Sequence, residues 1–127
     1  MTTDASPFAA LAGEQFIVLT TFRQNGEAVP TTVWFAERDG KLYITTGAAA
    51  GKLKRIRSNP QVTLAPSDRV GVVTGAALPA LAREAEPDEH AIAEEALDAK
   101  YGKQLRAVRV TGPFRATSTH LVVTPVR

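Results

Sequence analysis

The segment ITTGAAAGKLKRIRSNPQVTLAP, Ile44 to Pro66, contains the strongest structural signals in this sequence. It begins as a β-type run, passes through small residues, and places four cationic side chains within the six positions from Lys52 to Arg57. The Asn59–Pro60 pair then ends the helix, because a residue before proline avoids the α conformation. The segment therefore predicts a strand, a basic helix over residues 48–58 and a second strand.

The predicted helix has one apolar side and two basic flanks. Leu53 and Ile56 are three positions apart, so both are expected to face the core. The four cations lie on the flanks, and we expect them near the N-terminal end of the helix. We therefore expect the basic side chains to remain available for a partner of opposite charge.

Strands with tight turns are predicted before this segment. QFIVLTTFR, residues 15–23, is rich in β-branched and aromatic residues, which is typical of a buried strand. The pairs Asn25–Gly26 and Asp39–Gly40 are typical of hairpin turns. They divide residues 15–46 into three strands, which predicts a meander. Pro30 lacks a backbone donor and is expected at a sheet edge or bulge.

The remaining elements complete a mostly β protein. We predict a short N-terminal helix over residues 6–13, a strand over residues 70–84 that bends at Gly75, a helix over residues 87–102 and a last strand over residues 115–126. Short strands with hairpin turns and few helices indicate a small β-barrel with a few helices. No repeat or linker divides the chain, so residues 1–127 are expected to form one domain.

Composition narrows the classes of function. Cysteine is absent, which excludes disulfides, thiolate nucleophiles and cysteine-ligated metals, and favours a cytoplasmic location. The apolar runs are too short to cross a bilayer, and the N-terminus has an acid at Asp4 but no basic region, unlike a secretory signal. The net charge of +2 is small for a nucleic-acid-binding protein. We therefore expect no membrane and no nucleic acid among its partners.

Few protein groups indicate catalysis by side chains alone. His90 and His120 show no ligand spacing, so they are interpreted as ordinary histidines and no metal site is predicted. No serine lies in a G-x-S-x-G motif, which gives acyl transfer no support. The acids within residues 84–95 are explained by a solvated helix face. The catalytic residues stay unassigned, and a bound cofactor is the expected reactive group.

The basic helix fits an anion site. It follows a strand through a Gly/Ala-rich turn, so free backbone N–H groups are expected at its start. Cations there are disfavoured by the helix dipole unless an anion is present. Thr45, Thr46 and Lys52 are close enough in sequence to surround one phosphate. A solvated basic helix face is the alternative.

The order of motifs from Leu19 to Asp68 resembles the split β-barrel flavoproteins with the FMN-binding-protein-like fold. Within the pyridoxamine 5′-phosphate oxidase-like superfamily, it is most similar to oxidoreductases that use the deazaflavin coenzyme F420. The combined pattern TTG…GK.KR.R.NP.V.LAP carries the resemblance, which covers about residues 8–101, and AKYG (Ala99 to Gly102) is a later landmark. It implies a homodimer with the cofactor at its interface. It also implies hydride exchange between the coenzyme's C5 and a small organic substrate.

The resemblance assigns cofactor-binding roles to eight residues. Lys52 matches the lysine that contacts the cofactor phosphate, with Lys54 and Arg55 as supporting cations. Thr45 and Thr46 match positions near the phosphate and ribityl chain. The strand segment beside the tricyclic ring is matched by Thr32, Val33 and Trp34. Trp34 is equally well explained as a core aromatic residue, and the two roles are compatible.

Two departures favour F420 over FMN. Pyridoxamine phosphate oxidases carry an arginine immediately before the motif lysine, where this chain has Gly51, and an arginine in the second strand, where it has Thr31–Thr32. The alternatives are an FMN-binding split-barrel oxidoreductase, and a non-catalytic carrier of the coenzyme or of a tetrapyrrole-like ligand. A nucleic-acid-binding barrel is disfavoured, because no run of exposed aromatic residues lies beside the basic segment.

Overall fold

The computed structural model describes residues 8, 11, 13–47, 51–102 and 118–126. In these ranges the chain forms seven strands and two helices. Their bounds are β1 Phe16–Phe22, β2 Ala28–Val33, β3 Phe35–Arg38, β4 Lys41–Gly47, α1 Gly51–Ser58, β5 Gln61–Ser67, β6 Leu78–Glu84, α2 Glu89–Tyr101 and β7 Ser118–Pro125.

The strands form one antiparallel sheet in the order β2-β1-β5-β6-β7-β4-β3. The sheet curls into a half-barrel with two helices, which confirms the predicted split β-barrel fold. Side chains on its concave face, among them Leu19, Ile44 and Leu121, are fully buried in one core. Leu53 and Ile56 of α1 pack into the same core, as their spacing predicted.

The predicted three-stranded meander is wrong. The two hairpins form, but the middle strand is divided at Trp34 into β2 and β3, which lie at opposite edges of the sheet. Val33 and Phe35 both enter the barrel core, whereas Trp34 packs with α2. The segment therefore bends around the core instead of continuing as one straight strand.

The two turns differ in backbone conformation. Asp39 and Gly40 both have positive φ, 56° and 79°, as a tight hairpin turn requires. At the first turn only Gly26 has a positive φ, of 89°. Its N–H donates to the carbonyl of Arg23 at 2.8 Å, which makes a longer loop with glycine in the left-handed position. Pro30 lies in the edge strand β2, as predicted.

The strand predicted over residues 70–84 begins only at Leu78. Before it, the Asp68 carboxylate accepts the N–H groups of Val70 and Val72 at 3.0 and 2.9 Å. These local hydrogen bonds use donors that a strand ladder would need, so the segment forms a turn with a single bridge between Ser67 and Val73. The predicted strand was therefore too long.

The outer elements are partly described. Helix α2 confirms the helix predicted over residues 87–102. The N-terminal helix predicted over residues 6–13 lies mostly outside the described residues, as do residues 48–50 and 115–117. Phe8 and Leu11 are buried in the core. The single-domain organisation over residues 1–127 stays a prediction.

Helix α2 covers the convex face of β3, β4 and β7. Ala93 packs against Tyr43 and Val122. Near its start, Glu89 accepts hydrogen bonds from Arg83 at 2.6 and 2.8 Å, and these lower the pKa of the Glu89 carboxyl to about 2. No helix within the described ranges is long and apolar enough to span a membrane.

Candidate functional site

Lys52 lies at the second position of α1, close to strand β4. Its Nζ donates to Thr46 Oγ1 at 2.8 Å, and the two residues are only 9% and 1% exposed. Burial, with a further contribution from nearby Arg55, lowers the pKa of the Lys52 ammonium. A buried cation held by a neutral hydroxyl is incompletely compensated, because a hydroxyl does not balance its charge.

Arg55 extends from the same helix to strand β1. Its Nε donates to the hydroxyl of Thr21 at 2.6 Å, and Thr21 is 1% exposed. The guanidinium also folds back towards the helix start, since Nη1 lies 3.0 Å from the place where a Cβ on Gly51 would be. Gly51 thus provides the space that Arg55 occupies. We call Lys52 and Arg55 the cation pair.

Among the described residues the cation pair has no acidic partner. Neither residue forms an ion pair with any group in the described ranges, and the first turn of α1 contains no acidic residue. Arg57 differs, because two hydrogen bonds of 2.9 and 2.8 Å tie its guanidinium to Glu84. The cation pair is therefore better placed than Arg57 to receive an anion.

A cavity of about 590 Å³ opens between α1 and the β1–β2 turn. Lys54 is exposed on its wall beside Arg55. Arg23 lies on the opposite wall and pairs with Glu27 at 3.1 Å at the surface. The cavity is lined by Phe22, Arg23, Gln24, Asn25, Gly51, Lys54, Arg55 and Ser58. Its charged lining is cationic, so it suits an anionic ligand.

The two predicted threonines of β4 point to opposite faces of the strand. Thr46 is two positions after Ile44, so its side chain lies on the same inward face of β4, where it contacts Lys52. Thr45 is two positions after Tyr43, so its side chain lies on the same outward face. Its Oγ1 is buried without a hydrogen-bond partner in the described part of the chain. The structure therefore unites Thr46, Lys52 and Arg55, and leaves the Thr45 side chain on the other face.

The segment predicted to lie beside the tricyclic ring, Thr32 to Trp34, is distant in sequence from the cation pair. Its side chains point in different directions. Val33 faces the core, and Thr32 is exposed beside Gly71. Trp34 is half-buried and stacks on Tyr101, with ring centroids 4.6 Å apart and an interplanar angle of 22°. Trp34 therefore has a packing role, and its partial exposure is compatible with a ligand contact.

Sequence reasoning missed two features of this protein. Lys100 lies with its Nζ 3.4 Å above the Phe35 ring, and burial lowers the pKa of its ammonium to about 8. His90 and His120 come together with their Nδ1 atoms 2.9 Å apart. The sequence does not predict this contact, because the two histidines meet only through the packing of α2 on β7. No group of three or more metal-ligating side chains forms within the described ranges.

Comparisons with known proteins agree with the fold. A family model described as pyridoxamine 5′-phosphate oxidase matches residues 7–126. No curated protein matches the chain.

Three solved structures illustrate the similarity. A conserved hypothetical protein from Mycobacterium tuberculosis has 17% identity and a TM-score of 0.70, with 100% of this chain and 82% of that chain covered. The heme storage protein HutZ from Vibrio cholerae has 13% identity and a TM-score of 0.65, with 91% and 84% covered. A protein related to general stress protein 26 (pyridoxinephosphate oxidase family) from Clostridium acetobutylicum has 17% identity and a TM-score of 0.64, with 87% and 75% covered. At these identities the structures establish the fold alone.

Proposed function

We propose, since this chain belongs to the pyridoxamine 5′-phosphate oxidase family, that it is an oxidoreductase that uses the deazaflavin coenzyme F420. Members of this fold family often bind flavin-type cofactors. The observation that carries the proposal is the cation pair, in which Lys52 and Arg55 are held by Thr46 and Thr21 without an acid among the described residues. When bound, the coenzyme would exchange a hydride at C5 with a small organic substrate.

Electrostatics support a phosphate as the group that the cation pair receives. Two neighbouring cations repel each other, and burial removes water that would otherwise screen them. A phosphate would offset both charges and accept charge-assisted hydrogen bonds from the Lys52 ammonium and the Arg55 guanidinium. Thr46 and Thr21 hold these two groups in place before the anion binds. The backbone of Thr45 and the strand from Thr32 to Trp34 are then proposed to hold the ribityl chain and the ring.

The basic cavity supports F420 over FMN. Both cofactors have a tricyclic ring, a ribityl chain and a first phosphate, whereas F420 continues into a lactyl-oligoglutamate tail with more negative charge. Lys54 and Arg23 line the cavity next to Arg55 and would face such a tail. Each exposed contact of this kind is worth about 0.2–1 kcal/mol, so the preference depends on several weak contacts.

We expect F420 to bind more tightly than FMN, and the difference to shrink as salt rises. Exposed charge pairs are screened over about 10 Å at 0.1 M salt, which weakens tail contacts more than the buried phosphate contact. Parallel fluorescence titrations of both cofactors at low and high salt measure this. Lys54→Gln should weaken F420 binding and leave FMN binding nearly unchanged. FMN binding that equals or exceeds F420 binding at low salt would favour the FMN-dependent alternative.

A carrier of a tetrapyrrole-like ligand is the second candidate. The similar fold of a heme storage protein favours it. The absorption spectrum of the purified protein separates the candidates, because a bound tetrapyrrole has bands at longer visible wavelengths that F420 and FMN both lack. A protein that takes up hemin stoichiometrically but neither F420 nor FMN would support the carrier.

We further propose that the protein is a homodimer with its cofactor at the interface. The loop that packs on Thr32 exposes Val70, Val72 and Val73 at 76%, 58% and 51%. Three exposed valines within four positions, beside an edge strand, are an unfavourable surface for a monomer in water. This apolar loop and Thr32 would together meet the second chain.

Light scattering is expected to give twice the 13.5 kDa of one chain. Val72→Glu should shift the protein towards monomers, because the charge would lie in the interface. Val126→Glu is the matched control, since Val126 is 48% exposed and lies at the other end of the chain. A mass near one chain at micromolar concentration for the unaltered protein would contradict the dimer.

A further inference from the structure

The only two histidines of the chain converge on one point outside the cation pair. His90 of α2 and His120 of β7 have their Nδ1 atoms 2.9 Å apart, with ring centroids 5.2 Å apart and the ring planes at 53°. A hydrogen bond between the two atoms requires one Nδ1 to carry a proton and the other to present a lone pair. Two imidazoles bound at adjacent positions of one metal ion also have their nitrogens about this far apart.

The carboxylate of Glu94 lies beside the outer nitrogen of His120. Its Oε2 lies 2.9 Å from His120 Nε2, and His120 is only 4% exposed. The contact is electrostatic and not a hydrogen bond, because Nε2 and Oε2 are not aligned for one. The negative charge of the carboxylate still favours a proton on Nε2, which leaves the lone pair on Nδ1. A carboxylate on the outer nitrogen is what orients metal-ligating histidines and raises their basicity.

We propose that His90 and His120 bind one divalent transition metal ion through their Nδ1 atoms, with Glu94 as the positioning residue for His120. The ion replaces the shared proton. With metal–nitrogen bonds of about 2.0–2.1 Å, a separation of 2.9 Å corresponds to an angle of about 90° at the metal. This angle suits the square-planar or tetragonal geometry of Cu²⁺ or Ni²⁺ better than tetrahedral Zn²⁺. Metal binding requires the half-buried His90 ring to rotate so that both lone pairs meet the ion.

Thr45 supplies an independent observation at the same place. It is the cross-strand partner of His120, and its Oγ1 is buried without a hydrogen-bond partner within the described ranges. A buried polar atom of this kind indicates an ordered water or ion nearby. Water bound to the metal would donate to Thr45 Oγ1 and fill a coordination position beside the two histidines.

The metal site and the phosphate site use side chains on opposite faces of β4. Thr46 and Lys52 lie towards the barrel interior, whereas Thr45 and His120 lie on the face that α2 covers. A metal there joins α2 to β7 and stabilises the helix against the sheet. Metal binding at this place therefore does not require the coenzyme.

Calorimetric titration of the tag-free full chain with Ni²⁺ and Cu²⁺ tests the site. We expect saturable binding of one ion per chain, and about a tenfold or greater loss of affinity in His90→Gln and in His120→Asn, with a smaller loss in Glu94→Gln. The electron paramagnetic resonance spectrum of the Cu²⁺ form should show coupling to two imidazole nitrogens. Lys52→Met, the matched control at the coenzyme site, should bind the metal unchanged.

Two results would overturn the proposal. One is the absence of saturable binding to the unaltered protein, which would leave the histidines as a pair that shares a proton. The other is undiminished binding in His90→Gln, a variant of a half-buried surface position that should fold even if His120→Asn does not.

Discussion

Lys52→Met is expected to weaken binding of the phosphate-bearing coenzyme by about ten- to a hundredfold. The variant removes a charge-assisted hydrogen bond worth about 1.5–3 kcal/mol while keeping the length and apolar stem of the side chain. Lys52 is directed by Thr46 and has no acidic partner in the described residues, so its charge is available for the phosphate. Fluorescence titration with F420, and with FMN in parallel, measures the loss.

Without the coenzyme, Lys52→Met is expected to be at least as stable to unfolding as the unaltered protein. Burial lowers the pKa of Lys52, which means that the folded protein holds this proton less tightly than the unfolded chain does. The charge therefore opposes folding when no anion is bound, and this penalty fades as the pH rises towards the unfolded pKa. Lys52→Met should unfold at an equal or higher denaturant concentration than the unaltered protein.

Arg57→Ala is the matched control for this prediction. Arg57 belongs to the same helix but is exposed and tied to Glu84 by two hydrogen bonds. Its loss should change coenzyme affinity much less than the loss of Lys52. Equal losses in the two variants would mean that the basic helix face attracts anions generally and that no particular phosphate site exists there.

Tyr101→Phe is expected to lower the free energy of unfolding by about 1–3 kcal/mol. The hydroxyl accepts the Phe35 N–H at 3.0 Å and lies 2.6 Å from the Gln15 carbonyl and 2.9 Å from the Phe35 carbonyl. Burial raises the pKa of this hydroxyl to about 12. Removing it leaves buried backbone groups of β3 without a partner, and an unsatisfied buried group is unfavourable.

Chemical denaturation with two signals measures this loss. Circular dichroism follows the whole fold, while the fluorescence of Trp34, the only tryptophan, follows its stacking on Tyr101. Tyr43→Phe is the control, because Tyr43 also packs under α2 but its hydroxyl makes no hydrogen bond in the described ranges. Similar losses in the two variants would show that the hydrogen bonds of Tyr101 are unimportant.

Much of the local structure could be predicted from adjacent residues. The turn at Asp39–Gly40 and the end of α1 before Pro60 depend on the backbone preferences of the residues themselves. The core-facing positions Leu53 and Ile56 follow from helix periodicity. The basic character of α1 is equally local, but the expectation that its cations lie near the helix start was wrong for Arg55 and Arg57, which lie in the last turn.

The tertiary structure decided which of these residues can act together. Division of the middle strand at Trp34 depends on Val33 and Phe35 both reaching a core whose other members come from distant strands. Three contacts form only because the sheet curls and the helices pack on it. They are Arg55 with Thr21, Arg57 with Glu84, and His90 with His120. Spacing along a chain does not encode such contacts, since they arise where elements far apart in sequence bury their apolar faces in a shared core.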